Sequence, residues 1–366
     1  MDISEKMIKN SLVYRGDVSR IETALKKAQE GQDITVAFLG GSITQGCNAT
    51  SHDNCYAYKT YLWFKETFSN SNIKYINAGV GATGSVLGVH RLYKQVISQN
   101  PDIVFIDFAV NDSDDMYDRI AYESIIRKLL SLEKVPGIVE VFMSNFNGLN
   151  VQDQQILIGK KYNIPMISYR DAIFSEIFAG NLTWNEVGTD EVHPNNYGHH
   201  IISSLLINFI SNIYNNLGKD ASKPINLGKP LFGDKFINGT ILNNKNIKVN
   251  YIEGFKADEE GFQVFHDGWT FTSKNGGSAK LSLEVEGKNI FLVYKMRVEE
   301  NAAILKVTVD GKNTKTLNTF FKNGWGNYSN TELLVEQDKN EKHKIEIVIE
   351  DTGKDTEATI MGILVS

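Results

Sequence analysis

Short apolar runs alternate with longer amphipathic stretches along the chain up to Asn215. Residues 36–39 and 102–110 are almost continuously apolar, which is typical of strands covered on both faces of a parallel sheet. The stretches between such runs carry apolar residues at helical spacing. The predicted strands are 36–39, 73–78, 102–110, 138–143 and 165–169, and the predicted helices are 19–30, 56–68, 85–97, 121–132, 153–161 and 198–215. Ser19 is the expected N-cap of the first helix, with Glu22 three residues later.

This alternation of strands and helices predicts right-handed βαβ units and a doubly wound parallel sheet, which is an α/β fold. The pattern changes after Gly218, where helical periodicity ends and alternating runs take over. These runs lie at 280–285, 290–294, 304–309, 344–349 and 359–365. Glu286-Gly287 and Asp310-Gly311 are predicted turns between them. The sequence therefore predicts two domains, residues 1–220 and a β-sandwich of jelly-roll type over 221–366.

Composition narrows the class of protein further. A chain of 366 residues is long enough for two cores, and its net charge of −6 argues against a general nucleic-acid or anionic-membrane binder. The N-terminus lacks the apolar core of a secretory signal, and no apolar stretch approaches the ~20 residues that cross a bilayer. We expect a cytoplasmic protein. Cys47 and Cys55 are expected to be free thiols, because two cysteines do not make a disulfide framework.

Several candidate catalytic residues lie at the ends of the predicted strands. Ser42 follows Gly40-Gly41, and Gly79 and Asn111 follow the next two strands. Ligands of doubly wound sheets bind at this edge. Taken alone, Ser42 is interpreted as an N-cap serine after a glycine turn. Asp190 and His193, three residues apart before the last helix, could form the carboxylate–imidazole pair of a histidine base, or could be turn and cap residues.

Four short blocks together resemble the SGNH branch of the GDSL-type esterases and lipases. They follow the family's order over about residues 30–215 and are Gly40-Gly41-Ser42-Ile43, Asn77-Ala78-Gly79, Val110-Asn111-Asp112 and Asp190-Glu191-Val192-His193-Pro194. Two positions depart from the family's pattern. Gly41 stands where the Gly-Asp-Ser-Leu motif has aspartate, and Ala109 replaces the glycine of the Gly-x-Asn-Asp block.

The resemblance implies a flavodoxin-like, three-layer αβα fold and a serine ester hydrolase that needs no metal or cofactor. It assigns Ser42 as the nucleophile, His193 as the general base and then general acid, and Asp190 as the residue that orients His193. It also implies an oxyanion hole made of the backbone N–H groups of Ser42 and Gly79 and the side-chain amide of Asn111.

A Gly-Gly-Ser-Ile block followed by a β-sandwich is similar to the two-domain carbohydrate acetylesterases, including acetyl xylan esterases. The substrate that this resemblance implies is an acetylated oligosaccharide, with acetylated xylo-oligosaccharide first. A lipid or thioester acylhydrolase is the alternative enzyme, and a catalytically silent glycan-binding protein is the alternative from another class. A flavodoxin-like nucleotide binder would leave the Asp190–His193 block unexplained. Whether the chain forms a homo-oligomer is left open.

The remaining candidate residues have simpler interpretations. Asp112 is expected to brace its loop and Asp107 to be a buried, hydrogen-bonded carboxylate. His199 and His200 are expected to pack or cap the last helix, and His52 could contact substrate. For the second domain, the expected core aromatic residues, with a sugar-stacking platform as the alternative, are Trp269, Trp325 and Tyr328.

Overall fold

The computed structural model describes residues 3–218 and 225–366. The chain divides into two compact units, Met1–Ile237 and Asn238–Ser366. The predicted boundary near residue 220 falls on residues 219–224, which lie outside the described residues. Residues 225–237, which follow that boundary, belong to the first unit. Within the described ranges, no helix combines the length and apolar content needed to cross a membrane.

One six-stranded sheet organises the first unit. Its strands are β1 (Leu12–Tyr14), β2 (Ile34–Gly40), β3 (Ile73–Gly79), β4 (Ile103–Asp107), β5 (Gly137–Phe142) and β6 (Met166–Ser168). Their order is β1-β6-β5-β4-β2-β3, with β2 to β6 parallel and β1 antiparallel to β6. The parallel part has the flavodoxin-like order, whose topological switch point lies between β2 and β4. Every residue of β2, β4 and β5 is buried, as the apolar runs predict.

The helices connect the strands and cover the two faces of the sheet. They are α1 (Glu5–Ser11), α2 (Ser19–Gln29), α3 (Ser42–Gln45), α4 (Tyr56–Thr67), α5 (Ser85–Gln95), α6 (Met116–Leu130), α7 (Gln152–Tyr162), α8 (Tyr169–Ile177), α9 (Trp184–Val187) and α10 (Asn196–Tyr214). The N-cap prediction for Ser19 is wrong. Val18 is the N-cap, and the Asp17 carboxylate accepts a hydrogen bond from the Ser19 backbone N–H at 2.9 Å.

Residues 225–237, here called the strap, are bound to α6 of the first unit. The buried Glu123 carboxylate accepts hydrogen bonds from three consecutive backbone N–H groups at 231–233, at 2.6, 2.6 and 3.0 Å. Arg127, one turn further along α6, donates to the Asp234 carboxylate at 3.0 Å. The strap therefore supplies hydrogen-bond donors to a carboxylate that is shielded from water.

The second unit is an antiparallel β domain, as predicted. Its strands are β7 (Thr240–Leu242), β8 (Lys248–Glu253), β9 (Lys256–Asp258), β10 (Gly268–Ser273), β11 (Ala279–Met296), β12 (Ile304–Val309), β13 (Asn313–Asn318), β14 (Tyr328–Ile349) and β15 (Thr356–Val365). The predicted turn at Asp310-Gly311 separates β12 from β13. The turn predicted at Glu286-Gly287 is wrong. These residues lie inside β11, where a register shift against β14 interrupts the alternation and imitates a turn.

Candidate functional site

Ser42 lies at the carboxyl end of β2, beside the switch point of the sheet. It is the first residue of α3, whose N-cap is Gly41, and no side chain caps this helix. The interpretation of Ser42 as an N-cap serine is therefore wrong. Its hydroxyl instead forms a hydrogen bond with His193, with 2.9 Å between Ser42 Oγ and His193 Nε2.

His193 and Asp190 share the loop between α9 and α10 and form a hydrogen-bonded pair. His193 Nδ1 lies 2.8 Å from Asp190 Oδ2 and 3.1 Å from Oδ1. The backbone N–H groups of Val192 and His193 each donate to Asp190 Oδ1 at 2.7 Å. The loop thus fixes the carboxylate, and the carboxylate fixes the ring with Nε2 toward Ser42.

The pKa values of the pair move in opposite directions. Partial burial raises the pKa of Asp190, but the backbone N–H groups of His193 and Val192 and the His193 ring outweigh burial and lower it to about 2. Partial burial lowers the pKa of His193, but contacts with the Cys47 side chain and the Asp190 carboxylate outweigh burial and raise it to about 9. Asp190 is therefore ionised at every pH at which His193 titrates.

This arrangement predicts how activity depends on pH if His193 is the base. Only the neutral ring can accept a proton from Ser42, so kcat/KM should rise with pH through a His193 pKa above the usual ~6.5. Replacing Cys47 with alanine removes one group that raises this pKa and should move the acidic limb to lower pH. A pH series on p-nitrophenyl acetate measures the shift, with Cys55→Ala as the matched control. If the acidic limb of the kcat/KM profile lies at the same pH in Cys47→Ala as in the wild type, Cys47 does not set this pKa.

Asn111 follows β4 on the other side of the switch point, and its side chain lies against Gly41. A Cβ added to Gly41 would lie 2.0 Å from Asn111 Oδ1, so a glycine is required for this close approach. The Asn111 side-chain nitrogen donates to no other group in the part of the chain that the structure describes. The amide therefore lies beside the Gly41–Ser42 peptide and is available as a donor.

The third predicted donor, the backbone N–H of Gly79, does not fit this arrangement. It donates to the Asn77 side-chain oxygen at 2.9 Å, so it is already used. The lack of a side chain at Gly79 has another reason. A Cβ there would lie 2.2 Å from the Gln45 backbone nitrogen of α3. Gly79 lets β3 pack under α3, and the oxyanion assignment for its N–H is corrected accordingly.

Asn111→Ala tests the remaining side-chain donor. If Asn111 stabilises an oxyanion, we expect kcat to fall by about 10²–10³-fold with little change in KM. Steady-state kinetics on p-nitrophenyl acetate measures both constants, and thermal unfolding of the variant controls for a folding defect. An effect confined to KM would instead assign Asn111 to substrate binding.

The other polar candidates have structural contacts. Asp112 accepts hydrogen bonds from the Ser85 backbone N–H at 2.7 Å, the Ser85 hydroxyl at 2.5 Å and the Gln155 amide at 3.0 Å, which confirms its bracing role. Asp107 is buried and accepts from the Thr44 hydroxyl at 2.9 Å. Burial raises the pKa of Asp107 to about 7, although the Thr44 hydrogen bond opposes this.

The histidine and aromatic candidates differ in how deeply their side chains are buried. His199 is buried, with Nε2 3.2 Å from the Cys47 carbonyl oxygen, and burial lowers its pKa to about 4. His52 packs on Tyr58, and a contact with substrate stays a prediction. Trp269 is a core residue, as expected, whereas the core prediction for Trp325 is wrong because its side chain is 71% exposed.

Three residues of the site were missed from the sequence. Asn48 donates to Asp190 Oδ2 at 2.8 Å, and the Trp184 indole donates to the Asp190 carbonyl oxygen at 2.7 Å. Arg91 binds the backbone at the ends of β2 and β3. No local pattern marks these residues, because each reaches the site from a different element.

In the described ranges, no group of three metal-ligating side chains could hold a metal ion.

The chain is similar to known proteins in both sequence and fold. The model of the GDSL-like lipase/acylhydrolase family matches residues 38–201. Along its whole length, the chain is similar to a two-domain esterase (CEX) active on acetylated mannans, at 30% identity and a TM-score of 0.91, covering 98% of both chains. The chain belongs to the GDSL-like lipase/acylhydrolase family. The crystal structure of the same esterase with mannopentaose gives 30% identity and a TM-score of 0.89, covering 98% of this chain and 97% of that one.

More distant structures match only part of this GDSL-like hydrolase. An acetylxylan esterase from Geobacillus stearothermophilus is 20% identical, with a TM-score of 0.41, over 48% of this chain and 94% of that one. A comparison with curated proteins gives no match. Family membership confirms the predicted fold class and makes this GDSL-like hydrolase a carboxylic ester hydrolase.

Proposed function

We propose that this GDSL-like hydrolase removes acetyl groups from acetylated oligosaccharides through a two-step acyl-enzyme mechanism. The proposal depends mainly on one observation, the continuous line of hydrogen bonds from Ser42 through His193 to Asp190. A serine hydroxyl is a weak nucleophile unless a neighbouring base takes its proton. In this chain His193 is the group within reach of Ser42 Oγ, and Asp190 supports its second nitrogen.

In the first step, Ser42 Oγ attacks the acetyl carbonyl carbon while its proton passes to His193 Nε2. The Asp190 carboxylate stabilises the imidazolium, and the carbonyl oxygen becomes an oxyanion that accepts hydrogen bonds from the Ser42 backbone N–H and the Asn111 amide. When this intermediate collapses, the bond between the carbonyl carbon and the sugar oxygen breaks. The sugar leaves as an alcohol with the proton from His193, and the acetyl group stays on Ser42.

In the second step, His193 takes a proton from water, and the resulting hydroxide equivalent attacks the acetyl carbon of the acyl-enzyme. The same two donors stabilise the second oxyanion. Its collapse breaks the bond between the acetyl carbon and Ser42 Oγ, which regains a proton from His193. Acetate is released, and the free enzyme is restored.

The substrate proposal rests on the whole-length likeness to an esterase active on acetylated mannans. Acetylated manno-oligosaccharides are therefore our first candidates, and acetylated xylo-oligosaccharides, which the sequence suggested, are the second. An exposed aromatic group in the second unit supports a carbohydrate ligand. Trp325 stacks on Tyr328 with 5.4 Å between ring centroids and an interplanar angle of 29°. Such faces offer a flat apolar surface to the C–H side of a sugar ring.

Acetate release from a panel of esters tests the proposal. The panel contains acetylated manno-oligosaccharides, acetylated xylo-oligosaccharides, p-nitrophenyl acetate and p-nitrophenyl octanoate. We expect a higher kcat/KM on an acetylated oligosaccharide than on p-nitrophenyl acetate, and the lowest value on octanoate. A steep preference for octanoate would favour the lipid or thioester acylhydrolase. Oligosaccharide binding without any acetate release would favour the silent glycan-binding protein.

A further inference from the structure

Arg91 of α5 is a buried cation that binds backbone carbonyl groups. Its side chain is 2% exposed. One guanidinium nitrogen donates to the Ala78 carbonyl oxygen at 2.5 Å and to Gln95 Oε1 at 2.6 Å, and the other donates to the Gly40 carbonyl oxygen at 2.7 Å. A single planar group therefore joins the carboxyl ends of β2 and β3.

No carboxylate of the described residues balances this charge. Within residues 3–218 and 225–366, no aspartate or glutamate forms an ion pair with Arg91, and its buried Nε atom has no hydrogen-bond partner. Burial lowers the pKa of Arg91 to about 9, so the group is still a cation at neutral pH. Burying an unpaired charge is costly for folding. Stability alone therefore does not explain an arginine at this position.

The carbonyl groups that Arg91 binds belong to the backbone that carries Ser42. Gly40 is the last residue of β2, and its carbonyl oxygen also accepts a hydrogen bond from the Val80 N–H at 3.1 Å. These two donors fix the Gly40–Gly41 peptide. The next peptide along the chain is Gly41–Ser42, whose N–H is an oxyanion donor in the proposed mechanism. Glycine backbones are conformationally permissive, so this pair needs an external restraint to hold that N–H in one direction.

We propose that Arg91 is a positioning residue for the oxyanion donors. Its guanidinium holds the Gly40–Gly41 peptide so that the Ser42 N–H points at the reacting carbonyl oxygen. It also places a positive charge behind the strand end at which the oxyanion forms. Preorganised donors and charges act on the transition state more than on the bound substrate. This role rests on the proposed function, because it acts through Ser42.

The test compares Arg91→Met and Arg91→Lys with Arg127→Met. Arg127 is the matched control, because it is also a buried arginine that binds backbone carbonyl groups, at Leu227 and Gly228, but it holds the strap. On p-nitrophenyl acetate we expect Arg91→Met to lower kcat by about 10²-fold with KM nearly unchanged. Arg91→Lys should recover part of this loss, because lysine restores the charge without bridging both carbonyl groups. Arg127→Met should lower the Tm and leave kcat near the wild-type value.

A second readout reports on Ser42 directly. A p-nitrophenyl phosphonate ester reacts when Ser42 Oγ displaces p-nitrophenolate, and its rate constant should fall in Arg91→Met in parallel with kcat. A folded Arg91→Met with wild-type kcat and phosphonylation rate would overturn the proposal. If Arg91→Met does not fold, an unchanged kcat in Arg91→Lys would overturn it. If the wild type releases no acetate from oligosaccharides while Arg91 variants still slow phosphonylation, the proposed substrate fails and the positioning role stands.

Discussion

Replacing Ser42 with alanine is expected to lower kcat for ester hydrolysis by about 10⁶-fold, as expected when the serine nucleophile of a catalytic triad is removed. The hydroxyl is the atom that His193 contacts at 2.9 Å, and alanine leaves that base with nothing to activate. Ser42 is the first residue of α3 and does not cap it, so the fold should tolerate the substitution.

Acetate release and the p-nitrophenyl acetate assay measure this loss. The control is Ser51→Ala, which replaces a nearby serine that is not hydrogen-bonded to His193. Circular dichroism and the Tm show whether the variant is folded. Turnover near the wild-type value in folded Ser42→Ala would remove the nucleophile assignment, and with it the proposed mechanism.

Ending the chain at Gly218 is expected to destabilise the first unit by about 3–5 kcal/mol relative to ending it at Ile237, through lost hydrogen bonds to a carboxylate and lost apolar burial. The shorter chain lacks the strap, so the Glu123 carboxylate, 0% exposed, loses its three backbone N–H donors. The buried Phe236 side chain is lost as well. The longer chain keeps these contacts and the whole core of the first unit.

Urea unfolding of the two truncated chains measures the difference in the free energy of unfolding. Glu123→Gln in the full chain is the companion variant, because an amide is a poorer acceptor for the same three N–H groups. Equal unfolding midpoints for the chains ending at Gly218 and Ile237 would show that the strap adds nothing to the stability of the first unit.

The alternation of strands and helices could be predicted because each element has its own local spacing of apolar residues. Residues 36–39 and 102–110 are almost continuously apolar because β2 and β4 are covered on both faces. β1 could not be found this way, because three partly exposed residues make no recognisable run. The turn predicted at Glu286-Gly287 was wrong because a register shift near Gly287 interrupts the alternation inside β11. A bulge and a turn both interrupt alternation, and only the pairing partner distinguishes them.

The candidate site was predictable only from the four short blocks taken together. Taken singly, Ser42 and the Asp190–His193 pair had simpler interpretations as cap and turn residues, and the order of the blocks along the chain gave them their predicted roles. The error at Gly79 has a different origin, because the direction of one backbone N–H depends on the neighbouring Asn77 side chain. Arg91 and Glu123 could not be found, since a charged residue in a helix normally faces water and only the tertiary structure shows these two as buried.

The contact between Gly41 and the Asn111 side chain has a consequence for how this sequence can change. A Cβ at position 41 would lie 2.0 Å from Asn111 Oδ1, so any side chain introduced there requires the Asn111 amide to move. If Asn111 is an oxyanion donor, Gly41→Asp alone is expected to displace it and to lower activity. The effect of a substitution at position 41 is therefore expected to depend on the residue at position 111, and the reverse also holds.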